Sequence, residues 1–222
     1  MSDESVETLA ARIARLLTDR IVSGEIAPGT RLRQDHIAAE FGASHVPVRE
    51  AFLELKIQGL AEGLPRRGFR VTDFDLAELR EVAEMRASLE SLALRHAAPN
   101  MTRAILTEAE EVTRRGDTAD NVRDWEAANR HFHRLILSPC RMPRLLRTID
   151  DLHVASARFL FAAWRRDWEA RTDHDHRSVI DALRKGQTDR ACATLARHVG
   201  WIGKRKSARK NADARETYEI PG

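Results

Sequence analysis

From Thr8 to Val22 the apolar residues Leu9, Ile13, Leu16, Leu17 and Ile21 recur at the spacing of one helical face, so the chain opens with a predicted amphipathic helix. The run Ser23-Gly24-Glu25-Ile26-Ala27-Pro28-Gly29 is rich in turn formers and breaks it. A short helix is expected over about 34–41, ended by Gly42. Ser44 is a good N-cap and Pro47 fits a first turn, so a second helix should carry Val48, Phe52 and Leu55 to about residue 58, closed by Gly59. Residues 60–72 hold Gly63, Pro65 and Gly68 between short extended runs, the pattern of a β-hairpin.

Beyond Asp73 the period becomes helical throughout. Helices are expected over 75–98, ended by Pro99-Asn100; over 102–115, ended by Gly116; and over 121–137, ended by Ser138-Pro139. Three more should follow over 143–164, roughly 172–185 and 188 to about 205. The expected fold is mainly α: a winged helix-turn-helix over 1–73 joined to an all-α helical bundle over 74–205. The end, 206–222, should be a disordered basic tail.

Charge changes the picture less than the bulk numbers suggest. The net charge of +3 lies entirely in residues 201–222, which hold six Lys or Arg against three Asp or Glu, while residues 1–72 balance at ten and ten. A case for DNA binding must therefore rest on where charges sit. At 42% hydrophobic residues the chain should fold despite its many charges. No stretch approaches the ~20 apolar residues of a membrane span, and the acidic N-terminus lacks the form of a signal peptide. Cys140 and Cys192 show no metal or redox spacing and read as reduced thiols, which suits a cytoplasmic protein.

Two short helices, a turn with glycine and a hairpin make a winged helix-turn-helix pattern. Arg49 lies one turn into the second helix, where a guanidinium can bond guanine O6 and N7 together. Ser44 can donate to a phosphate. The hairpin tip Pro65-Arg66-Arg67-Gly68 places two cations on a tight turn, suited to phosphates or a narrow minor groove. Taken singly, Arg49 could instead pair with Glu50 or Glu54, and Arg66 and Arg67 could form an ordinary solvated turn. The run Gly24-Glu25-Ile26-Ala27-Pro28-Gly29-Thr30-Arg31-Leu32 resembles the G-x-L-x-P-G-x-x-L entry of GntR-family regulators. Ser44-His45-Val46-Pro47-Val48-Arg49-Glu50-Ala51-Phe52 resembles that family's S-R-T-P-V-R-E-A-L recognition helix. The resemblance covers about residues 8–72. It implies a homodimer on a short inverted repeat of double-stranded DNA, with contacts from Ser44, His45, Val46, Arg49 and the wing around Arg67-Gly68. His45 stands where the family usually has Arg, so a fixed charge and a fork of donors are lost there.

In the helical half, Asn129 and His133 are four apart and share a face with Trp125, Phe132 and Ile136. His176 lies with Val179, Ile180 and Leu183, and His198 with Leu195, Val199 and Ile202. Three histidines on three inward faces can build a metal site inside a bundle. With an oxygen ligand they suit Zn²⁺ or another borderline divalent ion. Each could also be a hydrogen-bonded core or surface histidine. His131 and His174 fall off those faces.

A helical half behind such a head resembles the FadR subgroup with its all-helical (FCD-type) effector domain. Asn129-Arg130-His131-Phe132-His133 is similar to its D-x-x-F-H segment, Asp175-His176-Arg177-Ser178-Val179 to its E-H-x-x-I, and Arg197-His198-Val199 to its closing H-[ILV]. The resemblance implies metal ligation by the three histidines and an acid, but Asn129 stands in the acid's place. Arg86 would face the same cavity and hold a carboxylate effector by a bidentate pair, or else form a surface bridge to Glu90. The function expected is a DNA-binding regulator, in the sense of a repressor, controlled by a small carboxylate metabolite and a divalent metal. A metal-dependent hydrolase is one alternative, but no H-E-x-x-H, G-x-S-x-G or phosphate loop occurs. A non-specific nucleic-acid binder using the basic tail is another.

Overall fold

Thr8 opens the first helix of the computed structural model, α1 (Leu9–Val22), by accepting a hydrogen bond from the Ala11 amide. Residues 7–65, 67–73, 75–164, 168 and 172–203 are described. They divide at the 74/75 junction into two compact units. Arg66 and the tail 206–222, both given roles by the sequence, lie outside the described residues.

In the first unit α1 buries Ile13, Ala14, Leu17 and Ile21. The α2 helix (Gln34–Phe41) ends at Gly42, whose φ of 58° is the left-handed conformation that lets the chain turn sharply into α3 (His45–Ile57). The buried side of α3 is Val48, Ala51, Phe52 and Leu55, and Phe52 meets Phe69 edge to face at 5.3 Å. Val48, Phe52 and Leu55 each contribute roughly 1.5–3 kcal/mol by leaving water. The opposite side of α3 is thereby fixed toward solvent. Strands β2 (Ala61–Leu64) and β3 (Gly68–Val71) form the expected antiparallel hairpin. A third strand, β1 (Arg31–Leu32), adds to β3 with Arg31 opposite Arg70 and Leu32 opposite Phe69, giving the order β1-β3-β2. Two residues are too few to show alternation, so the sequence pattern offered no sign of β1.

The second unit contains α4 (Leu76–Ala97), α5 (Arg103–Asp117), α6 (Val122–Leu137), α7 (Pro143–Trp164), α8 (His174–Arg184) and α9 (Thr188–Gly203). Single 3-10 turns follow α4 and α6. Asp75, Thr102, Asn121 and Asp173 each cap the helix that follows with a side-chain oxygen. The α4 helix packs most extensively along α9, α5 lies against α6, and α8 against α9. One core joins them through Leu94, Leu106, Val112, Phe132, Ile136, Ile180 and Leu195. The α5 helix runs one residue past Gly116, to Asp117, and the glycine lies in its last turn. This glycine is buried, and a Cβ there would stand 3.4 Å from that of Ala128 on α6, so it is a close-packing position. Both cysteines are free and buried.

Candidate functional site

In the first unit Ser44 occupies the N-cap of α3 but makes no side-chain cap bond. Its hydroxyl is solvent-facing, as are His45, Val46 and Arg49. Val46 is 66% exposed, which is unusual for an aliphatic side chain and fits contact with a thymine methyl. Arg49 pairs with neither Glu50 nor Glu54 among the described residues; Glu54 instead accepts from the Gln58 amide. His45 stands 3.7 Å from the Asp35 carboxylate on α2. In the hairpin Arg67 is exposed and its amide donates to Leu64 O at 3.0 Å. Gly68 has φ 85°, a conformation open to glycine, at the point where the wing turns back.

In the second unit α6, α8 and α9 bring His133, His176 and His198 together, one ring nitrogen of each lying within 4.8 Å of the others. Each ring is held from behind. His133 Nδ1 meets Glu90 Oε2 at 2.5 Å, so with Nδ1–H donating to the carboxylate its Nε2 carries the lone pair. His198 Nδ1 lies 3.6 Å from Asp175 Oδ2. His176 is stacked on Phe132 at 3.7 Å between centroids. Orientation of ligand imidazoles by carboxylates in this way is the general pattern at metal sites.

Two observations test whether these residues fit a cation. His176 Nε2 and His198 Nε2 stand 3.1 Å apart. With His198 Nδ1–H turned to Asp175, its Nε2 offers a lone pair, and the space between the two rings takes either the Nε2–H of a neutral His176 or a cation bound by both nitrogens. Asn129 Oδ1 and His133 Nε2 are buried and without a hydrogen-bond partner, although buried polar atoms are almost always satisfied. The donor set is nitrogen plus oxygen, which suits a borderline divalent ion. The residues fit.

Protonation states agree with ligation by neutral imidazole. Burial holds His133 below its ordinary pKa, against the pull of Glu90. Burial, with His198 and His133 nearby, holds His176 well below it. His153 is pushed down to about 3 by burial and by Arg86. Burial opposes the Glu90 charge, but His133, Arg86 and His153 outweigh it and keep the carboxyl well below the usual range. Asp175 falls to about 2 because His198 and Arg197 bond to it.

Arg86 does pair with Glu90, but in the interior rather than at the surface. Its Nε donates to Glu90 Oε1 at 2.9 Å, Nη1 to Ser156 Oγ at 2.8 Å, and Nη2 lies 3.0 Å from His153 Nε2. Arg86 is 2% exposed, and with Asn129, His133, His198 and Trp125 it lines a cavity of about 320 Å³. Glu90, His153, Ser156 and Asp173 are the parts of this site that sequence reasoning missed. Glu90 four residues after Arg86 looks like a surface ion pair. His153 sits in a helix whose pattern gives no reason to prefer it over the five other histidines outside the predicted metal set.

A helix-turn-helix with a wing, followed by a separate helical unit with a polar cavity, is the architecture of a DNA-binding regulator. The sequence matches the model of bacterial regulatory proteins of the gntR family over residues 9–71 and that of the FCD domain over 81–200. A "Probable D-xylose utilization operon transcriptional repressor" of Paenarthrobacter nicotinovorans is 31% identical over 198 residues, 86% of each chain. The HTH-type transcriptional repressor RspR of Escherichia coli K12 is 26% identical across 91% of each chain. Among solved structures, E. coli McbR/YncC shares the fold with a TM-score of 0.76 at 24% identity, over 88% of this chain and 95% of that one. The chain belongs to the GntR family of transcriptional regulators and carries an FCD-type C-terminal domain. No helix among the described residues is long and apolar enough to cross a membrane.

Proposed function

We propose that this protein is a metabolite-responsive repressor that binds an inverted-repeat operator as a homodimer, with a divalent cation, zinc, held by His133, His176, His198 and Asn129. Ser44, His45, Val46 and Arg49 read the half-site, and Arg66, Arg67 and Gly68 form the wing that tracks the backbone. The chain is organised as a DNA-binding domain over 1–73, an effector and dimerisation domain over 74–205, and a basic tail. The observation that carries the sensory part is the pair of partnerless buried atoms, Asn129 Oδ1 and His133 Nε2, beside the close His176–His198 contact.

A divalent cation there would supply an electrophilic anchor for one carboxylate oxygen of an effector. The chain's own residues do the rest. Glu90 and Asp175 fix the imidazole tautomers. Arg86 spends one N–H each on Glu90 and Ser156 and turns a third toward His153, so two of its five N–H groups remain for an effector. Trp125, Leu160 and Val199 supply apolar wall to the same cavity. Effector binding shifts the regulator between states of different operator affinity. Native mass spectrometry of freshly purified protein tests this directly. A dimer carrying one zinc per chain supports the reading, and a metal-free monomer overturns it. Footprinting on an operator selected from genomic DNA fragments should show two protected half-sites related by a two-fold axis.

A further inference from the structure

Asn129 leaves the proposed metal site without an anion, and the residues around it show where one comes from. Three neutral imidazoles and an amide oxygen give a buried dication no compensating charge, which is costly in a low-dielectric interior. Glu90 does not supply it, because Arg86 already pairs with it at 2.9 Å inside the protein. Asp175 is likewise matched by Arg197 at 2.7 Å. Asp173 differs from both. Its Oδ1 accepts from the His176 amide at 2.9 Å as the N-cap of α8. Its Oδ2 is then turned inward and lies 3.4 Å from His176 Nε2, the nitrogen that faces His198.

No Lys or Arg side chain pairs with the Asp173 carboxylate among the described residues; Arg177 bonds its backbone oxygen and reserves its other arm for Asp117. The backbone is fixed from the other side too, since the Asp173 amide donates to Asp117 Oδ1 at 2.8 Å. Asp173, Asn129 and His176 line one small cavity, and Asp173 also borders the larger one with His133 and His198. An acid at the entrance of α8, three residues before a histidine ligand, thus stands beside the gap that Asn129 leaves on α6; its carboxylate lies outside the 4.8 Å cluster of the three histidine nitrogens and must swing inward to join it.

Resting on the metal reading above, we infer that Asp173 is the anionic oxygen ligand of this site and that Asn129 is at most a neutral auxiliary. The substitution Asp173→Asn removes the charge and keeps a good N-cap, because Asn and Asp cap equally well. Asp173→Ser is a second cap-preserving variant, guarding against an effect peculiar to one side chain. Zinc affinity is read by competition with a chelator, and the ligand field by the absorption spectrum of the cobalt-substituted protein. Apo-protein melting by circular dichroism checks the fold. Both Asp173 variants should bind zinc more than tenfold more weakly and change the cobalt spectrum while melting like wild type. Asn129→Ala should lose less than they do, and Asp173→Asn combined with Asn129→Asp should recover affinity. Wild-type affinity in both Asp173 variants, with a large loss in Asn129→Ala, overturns the inference and leaves the metal reading standing. A wild-type protein that binds no zinc, with His176→Ala unchanged from it, overturns both.

Discussion

At the scale of the residue, Arg49 and Arg86 show how burial assigns different work to the same side chain. Arg49 projects from the exposed side of α3 with no ion pair among the described residues, so its guanidinium is available to a base edge. Arg49→Ala should weaken operator binding roughly 5- to 150-fold, the loss expected for one bidentate base contact. Binding to unrelated DNA should hardly change. Fluorescence anisotropy with operator and scrambled duplexes measures both, and an equal loss on each would demote Arg49 to a phosphate contact. Arg86, by contrast, is an interior cation whose fork organises Glu90, Ser156 and His153. The histidines His133, His176 and His198 were legible in the sequence because each lies three or four residues from inward apolar neighbours. Glu90 and Asp173 were not. A carboxylate four residues from an arginine, or at a helix cap, has an ordinary local explanation, and only the packing of α4 and α8 gives it a second one.

At the scale of the element, the recognition helix and the wing could be read from turn chemistry, since Gly42, Gly59 and Gly68 all take the positive φ that glycine favours. Gly116 shows the limit of that reasoning. Nothing in its neighbours along the chain separates a helix stop from a close helix crossing, and the decisive partner, Ala128, is on another element. The two roles predict opposite responses to a larger side chain. At a helix end, Gly116→Val would alter only the local turn. At the observed crossing a Cβ would already be in contact with Ala128 at 3.4 Å and Trp125 at 3.9 Å, so the further methyl groups of valine have to be fitted between α5 and α6. Overpacking of this kind costs about 1–3 kcal/mol. Chemical denaturation should show that loss in the helical unit, and Gly116→Val as stable as wild type would refute the crossing.

At the scale of the whole molecule, the buried histidines tie stability to pH with a definite sign. The folded pKa of His153 is about 3, and that of His176 is also depressed, against about 6.5 in an unfolded chain. The unfolded state therefore takes up protons first. Stability is fully present above about pH 6.5 and is lost progressively as the pH falls from there toward the folded values. Scanning calorimetry of chelator-treated protein should show melting temperature level from pH 8 to 7 and falling below about 6.5. An unchanged melting temperature down to pH 5 would mean that these rings are not held neutral. Assembly follows from a different balance. On the proposed reading one winged helix presents Ser44, His45, Val46 and Arg49 to a few base pairs, too few to mark a unique genomic site, and residues 1–72 carry no net charge with which to compensate. The proposed homodimer supplies the missing affinity, because two heads binding together raise it through effective concentration and a closed two-fold dimer is the simplest arrangement that presents them. Given the proposed division of labour, the helical unit supplies the interface. The full chain should run at twice its 25.2 kDa mass, whereas a fragment of residues 1–73 should be monomeric and bind a single half-site weakly. Sedimentation velocity with and without DNA distinguishes the outcomes. A fragment that dimerises as tightly as the full chain would place the interface in the head instead.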